Sequence, residues 1–180
     1  NAWTGGGDAV IVTRQRTEGV RRRFSLFVAP LAGGVPRALG PTRYDRYGAT
    51  LSPEGGRLAF VSIETGRAEV FVAPADASDP RQASVGAGTS PVWARDGRAL
   101  FSRNGDAVMS VAVGAGLRPS LAPPRLLFRG RFEEPARPDW PRNYDVAPDG
   151  RFLMISPDSL PGPTPLTLVV NWRELLTRTR

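Results

Sequence analysis

The chain has no cysteine and no histidine, and all 24 of its basic residues are arginine, so lysine is missing as well. These three absences remove the side chains that most enzymes use for nucleophilic, Schiff-base and metal-centred chemistry. A Ser-His-Asp triad, a zinc cage, a P-loop lysine and a redox dithiol are all excluded. Any catalytic site would rest on Asp, Glu, Tyr, Ser or Arg, as in a glycosidase-like carboxylate pair, and the sequence offers no distinctive motif for one. The readings for catalytic residues, metal ligands and cofactors are therefore all "none". Long apolar runs are also lacking: no stretch approaches the roughly 20 residues that a membrane helix requires. The first residues show no charged-then-apolar leader pattern. The absence of cysteine is compatible with either side of a bacterial membrane.

What is present is a mixed globular composition, 41% hydrophobic and 23% charged over 180 residues, with a formal net charge of +7. Such a balance raises a nucleic-acid reading, because arginine neutralises phosphates and releases counterions. The simpler account is compositional bias, since arginine replaces lysine throughout and Ala, Gly, Pro and Val abound; no nucleic-acid partner is expected. The tight cluster Arg21-Arg22-Arg23 lies between two strand-like runs and reads as a solvated hairpin tip.

Internal repetition decides the architecture. A short strand, a tight turn and an apolar run recur four times: Trp3 to Thr13, Leu51 to Ser62, Trp93 to Ser102 and Val146 to Ser156. The residues following the turn glycine, Asp8, Arg57, Arg98 and Arg151, are separated by 49, 41 and 53 positions. That spacing is close to the roughly 40–50 residues of a four-stranded propeller blade. In Ala147-Pro148-Asp149-Gly150, Pro presets the first central backbone angle, Asp suits the second and Gly supplies a positive φ. The runs Leu58-Ala59-Phe60-Val61 and Phe152-Leu153-Met154-Ile155 are nearly continuous, as expected when both faces of a sheet are covered.

A third strand is expected at Ser25–Pro30, Val70–Pro74, Met109–Val113 and Thr167–Trp172. A weaker, Pro-led fourth is expected at Pro36–Leu39, Pro80–Ser84 and Arg125–Phe128, where Pro suits an outer edge. The fold class predicted is all-β: a propeller fragment of about four blades, with repeats near 1–40, 41–86, 87–130 and 140–172. The first and last blades are incomplete, and a helix-like tail follows at 173–180. Trp3 and Trp93 occupy matching places and read as packing between adjacent sheets. The Pro-rich segment from Gly114 to Arg142 is an insertion, of the kind that carries recognition on a rigid scaffold or is plain surface. The rest of a larger propeller, or a second copy, is expected to close the ring.

The repeated strand, Pro-Asp-Gly-Arg turn and apolar run, clearest from Ala147 to Ile155, resembles the TolB-like, WD40-like (PD40) propeller repeats of bacteria. More narrowly, Tyr144 to Met154 followed by Leu168 to Leu176 resembles the C-terminal propeller region of bacterial serine/threonine protein kinases. The resemblance implies a non-catalytic scaffold that recognises a protein or small ligand. With the kinase likeness it further implies a sensor part placed on the extracytoplasmic side of a membrane, any phosphoryl transfer lying elsewhere. The alternatives are an accessory propeller of a prolyl-oligopeptidase-type or sugar-active hydrolase, and a TolB-like envelope interaction protein. Propellers bind where loops entering the innermost strands converge. The candidate partner-binding residues are therefore Arg43, Tyr44, Asp45, Arg46 and Tyr47; Thr89 and Ser90; and Trp140, Arg142, Asn143, Tyr144 and Asp145. On the competing reading the tyrosines cover blade edges and Asp45 and Asp145 make local turn hydrogen bonds.

Overall fold

A computed structural model describes residues 2–4, 6–133 and 142–156. The motif turn closes the same way in each repeat. The amide of Gly7, Gly55, Gly97 or Gly150 donates to the carbonyl three residues earlier, on Thr4, Ser52, Ala94 or Ala147, at 2.8–2.9 Å. The four glycines have φ between 68° and 82°, a region where other L residues are penalised. Each turn therefore reverses the chain at a fixed point and sets the register of the strands on either side.

Antiparallel pairing from those turns builds four separate sheets. The first holds β1 (Ala2–Trp3), β2 (Ala9–Glu18), β3 (Arg21–Pro30) and β4 (Arg37–Ala38), and the second holds β5 (Arg46–Leu51), β6 (Arg57–Ser62), β7 (Glu69–Pro74) and β8 (Arg81–Gln82). The third contains β9 (Thr89–Trp93), β10 (Ala99–Asn104), β11 (Ala107–Ala112) and β12 (Arg125–Arg129); the fourth contains β13 (Tyr144–Val146) and β14 (Phe152–Met154). Strand order follows chain order in every sheet, as in propeller blades. The Pro-led strands β4, β8 and β12 are the last in their sheets, where a missing N–H removes no ladder bond. The expected third strand at Thr167–Trp172, the tail at 173–180 and the side chain of Trp3 lie outside the described residues.

The blades are held face to face. One core joins the first two, with Ile11, Leu26, Val28 and Leu39 against Leu58, Phe60 and Phe71. A second joins the middle pair, with Ala59, Val61, Val70 and Val72 against Trp93, Leu100 and Val113. Leu58 to Val61 are wholly buried, so both faces of β6 are covered. Leu58, Phe60 and Val61 each contribute about 1.5–3 kcal/mol. The corresponding run in the last repeat differs: Leu153 is 74% and Ile155 50% exposed. Among the described residues, the covered face of β14 is the one carrying Phe152, which meets Phe101 and Phe128 edge-on at 5.0 and 5.2 Å.

The first hairpin also departs from expectation. β2 and β3 are ten residues each, against six in the central hairpins. Arg21, Arg22 and Arg23 belong to strand β3 rather than to a tip. The two-residue loop is Gly19-Val20, with Gly19 at φ 61° and Val20 not in the left-handed region, the signature of a type II′ turn.

Arg57 shows how the middle blades are fastened. Its Nη2 donates to the Gly97 carbonyl and its Nη1 to the Gly114 carbonyl, both at 3.0 Å, while Nε reaches Glu54 at 2.6 Å. The guanidinium carbon lies 5.1 Å from the Trp93 ring centroid. A Cβ on Gly97 would stand 3.0 Å from Arg57 Nη2, so the turn glycine also provides the space for this contact. Arg57→Ala is expected to cost about 2–4 kcal/mol by leaving two carbonyls and a carboxylate without their partner. Arg98→Ala, at the equivalent but exposed motif position, is expected to stay within about 0.5 kcal/mol. Urea unfolding of both variants checks this pair; equal losses would refute it.

Candidate functional site

The starts of β5, β9 and β13 lie at one end of the stack, because all three begin their sheets and run in the same direction. The residues entering them join into an arc. Asp45 accepts the Phe24 amide of the first blade at 3.0 Å and lies 3.9 Å from Arg23. Gly48 sits beside Pro91, since a Cβ there would be 4.0 Å from Pro91 Cδ. The Tyr144 hydroxyl donates to the Ser90 carbonyl at 2.7 Å, so the entries to β5 and β13 are each hydrogen-bonded to another blade.

Within this arc the candidate residues divide by burial. Arg43 is exposed, its guanidinium 4.9 Å over the half-buried Tyr44 ring, and Arg142 is exposed and paired with Asp145 at 3.2 Å. Thr89 and Ser90 are half-buried, with the Thr89 hydroxyl 3.5 Å from the Arg103 carbonyl and Ser90 at φ 52°. Asn143 donates to the Glu133 carbonyl, and its own side-chain oxygen is enclosed without a partner. Arg46, Tyr47 and Tyr144 are buried. Tyr47 packs edge-on against Phe24 at 6.0 Å and Tyr144 stacks over Phe152 at 6.4 Å, so two of the three tyrosines are core. Asp45 does not serve a local turn; its bond joins two blades, whereas Asp145 is bound locally. Trp140 lies outside the described residues.

Beside the arc, the crossover from the first blade and the β7–β8 loop enclose a cleft of about 540 Å³. Arg43, Tyr44 and Arg46 line one part, and Glu64, Asp76 and Asp79 another. Arg46 Nη2 donates to Glu64 at 2.9 Å, and its guanidinium lies 4.9 Å from the Phe60 ring. Its Nε and Nη1 are enclosed without a partner. Asp76 accepts the Ser78 hydroxyl at 2.6 Å and the Ser78 amide at 2.9 Å. Those bonds, the hydroxyl first, hold its carboxyl below the ordinary carboxylate range. An anion fixed in this way accepts hydrogen bonds. Sequence reasoning missed the cleft's acidic wall. The signal was the Ala75-Asp76-Ala77-Ser78-Asp79-Pro80 turn, whose Ala77 and Asp79 have φ of 59° and 45°, a conformation uncommon outside glycine.

Among the described residues no helix is long and apolar enough to cross a membrane, and no group of three or more acidic residues could hold a metal ion. The stacked sheets define an all-β arc of the TolB-like propeller kind. The chain superimposes on a protein assigned as TolB in Agrobacterium tumefaciens with a TM-score of 0.56 and 17% identity, covering 86% of this chain and 56% of that one. TolB from Acinetobacter baumannii matches with a TM-score of 0.56 and 16% identity, over 85% of this chain and 36% of that one. A puromycin-hydrolyzing peptidase of Mycobacterium tuberculosis gives 0.60 and 21% identity, over 84% and 27%. In sequence, 67 residues are 40% identical to the Tol-Pal system protein TolB of Thioalkalivibrio sulfidiphilus (strain HL-EbGR7), amounting to 37% of this chain and 15% of that protein. No family model matches. The chain thus spans between about one seventh and just over half the length of these relatives.

Burial raises the pKa of both core tyrosines, for Tyr47 with added repulsion from Asp45 and for Tyr144 against the opposing pull of Arg142 and Arg103. Their folded-state pKa values therefore exceed the unfolded value of about 10. The stability this represents is intact below pH ~10 and is lost as pH rises from there towards the folded values, because only the unfolded chain then releases the protons. Tyr144→Phe is expected to lower stability by about 1 kcal/mol at neutral pH through loss of the Ser90 bond. It should also make the alkaline fall less steep by about one proton, as read from urea midpoints above and below pH ~10.

Proposed function

We propose that this chain is a non-catalytic recognition scaffold whose contact surface is the arc of crossover residues at the mouth. The observation that carries the reading is the tying of that arc, blade to blade, by Asp45 to Phe24 and Tyr144 to Ser90. Those bonds fix the arc's backbone, while Arg43, Tyr44, Arg142 and Asp145 face outward on it. Arginine beside aromatic rings is the chemistry enriched at protein contact hot spots. Loops fixed on a rigid sheet stack lose little entropy on binding. The TolB likeness favours a partner protein in the cell envelope. The narrower likeness of Tyr144 to Met154 to kinase-attached propellers supports a sensor role within a longer protein, although its second half, 168–176, lies outside the described residues.

The peptidase neighbour supports a second reading, a propeller that accompanies a hydrolase domain. The two are separable. A photo-crosslinking residue at Arg43 or Arg142, in cells that make the protein, is expected to give discrete high-mass adducts with another protein. The same residue at the outer-edge position Leu127 should give none. Adducts from Leu127 alone would count against the mouth, and peptide hydrolysis by the full-length protein would favour the second reading.

A further inference from the structure

The first hairpin is longer than its blade requires. Val10 pairs with Trp3 just as Leu58 pairs with Leu51 and Leu100 with Trp93, so these positions are equivalent. From there β6 ends at Ser62 and β10 at Asn104, whereas β2 continues to Glu18. Four extra residues on each strand carry the ribbon about 13 Å beyond the level at which the other blades turn. β2 runs parallel to β6, whose Ser62 end pairs with Arg46, so the arm rises at the mouth end.

Its register sorts the side chains. Arg14 is opposite Ser25, Arg16 opposite Arg23, and Glu18 opposite Arg21. Cross-strand partners share a face, so Arg14, Arg16, Arg21 and Arg23 stand together on the face turned away from the second blade, with Glu18 as its single acid. The other face carries Gln15, Thr17 and Arg22, and continues into the buried Phe24 and Leu26. Arg16 directly opposes Arg23, a like-charge pair that destabilises a bare ribbon. Among the described residues, no acidic side chain comes within ion-pair distance of Arg14, Arg16 or Arg21; Arg23 alone approaches one, Asp45 at 3.9 Å. A strand pair that retains such repulsion and ends on the fully exposed Val20 gains from an anionic partner.

We propose that the outer face of this arm docks an extended acidic segment of a partner protein, its carboxylates pairing with Arg14, Arg16 and Arg21. Three features favour carboxylates on a polypeptide. Alternate residues of an extended peptide share the spacing of same-face residues on β2, so acids at every second position can meet arginines. The arm offers no free aromatic for base stacking, since Phe24 is buried and Phe27 is covered by Arg14 at 5.4 Å. One apolar residue at the tip is too little to enter a lipid surface.

The inference rests on the recognition-scaffold reading, and its test is separable from the mouth crosslinks. The probe is a short synthetic peptide alternating glutamate and valine, titrated into the full chain at low salt beside its arginine-for-glutamate counterpart and a short DNA duplex. The acidic peptide alone is expected to bind, and added salt to weaken it. Arg16→Gln with Arg21→Gln should reduce its affinity by about fivefold to tenfold, while Arg22→Gln on the opposite face should change it by less than about twofold. Thermal unfolding verifies that the variants remain folded. Unchanged affinity in the double variant, an equal loss in Arg22→Gln, or tighter binding of the duplex would each overturn the proposal. Mouth crosslinks would persist in all three cases if the scaffold reading holds.

Discussion

A blade of four short strands cannot bury its own apolar side chains, and everything else in this molecule follows from that constraint. Both faces of β6 require a neighbour, and the neighbours are the sheets before and after it. Face-to-face stacking alone would leave the turn carbonyls at each junction uncovered. Arg57 resolves this between the second and third blades by donating to Gly97 and Gly114 while lying along the Trp93 ring. Its charge is shared with Glu54, so the junction contains a paired cation and no stranded one.

The other junctions use arginine differently. Arg103 turns back on its own hairpin, with Nε and Nη2 on the Gly105 carbonyl, and reaches Glu133 at 3.4 Å beside the Phe132 ring. Arg46, between the first two blades, satisfies only Nη2 through Glu64. A chain without lysine suits this arrangement, because a guanidinium offers five donors in a planar fork and stacks on rings, where an ammonium would remain a hydrated point charge. The arginine bias read from composition is thus partly structural: Arg46, Arg57 and Arg103 are buried inside the stack, where their donors and stacking faces are used.

The sheet architecture was legible because it is written in turn chemistry. Ser52-Pro53-Glu54-Gly55 and Ala147-Pro148-Asp149-Gly150 fix where the chain reverses, and the apolar runs after them have nowhere to go except between sheets. Local pattern could not separate Arg57 from Arg98 and Arg151, which follow the same motif; one is buried and two are exposed. That difference is set by the covering blade, a long-range property. The length of the first hairpin was not legible for a related reason. Thr13 to Glu18 is polar without apolar alternation, so it resembles a loop, and its strand character comes from pairing with β3 once Gly19 has set the turn.

The candidate surface was partly legible. Among the loops entering the innermost strands, residue type alone did not separate outward-facing groups from core. Tyr47 and Tyr144 have the composition of a hot spot and the burial of packing residues, because a phenol can fill an interior site when its hydroxyl finds one acceptor. Tyr144 has the Ser90 carbonyl, and in filling that role it fixes the backbone from which Arg142 and Asp145 project. The same logic extends to Asp45, whose bond to Phe24 anchors the base of the long hairpin to the second blade. The groups that define the outward surface are thus held in place by residues that do not themselves face outward. On the proposed reading, a change at Tyr144 or Asp45 acts through position, by loosening the platform beneath the exposed side chains, rather than by removing a contact.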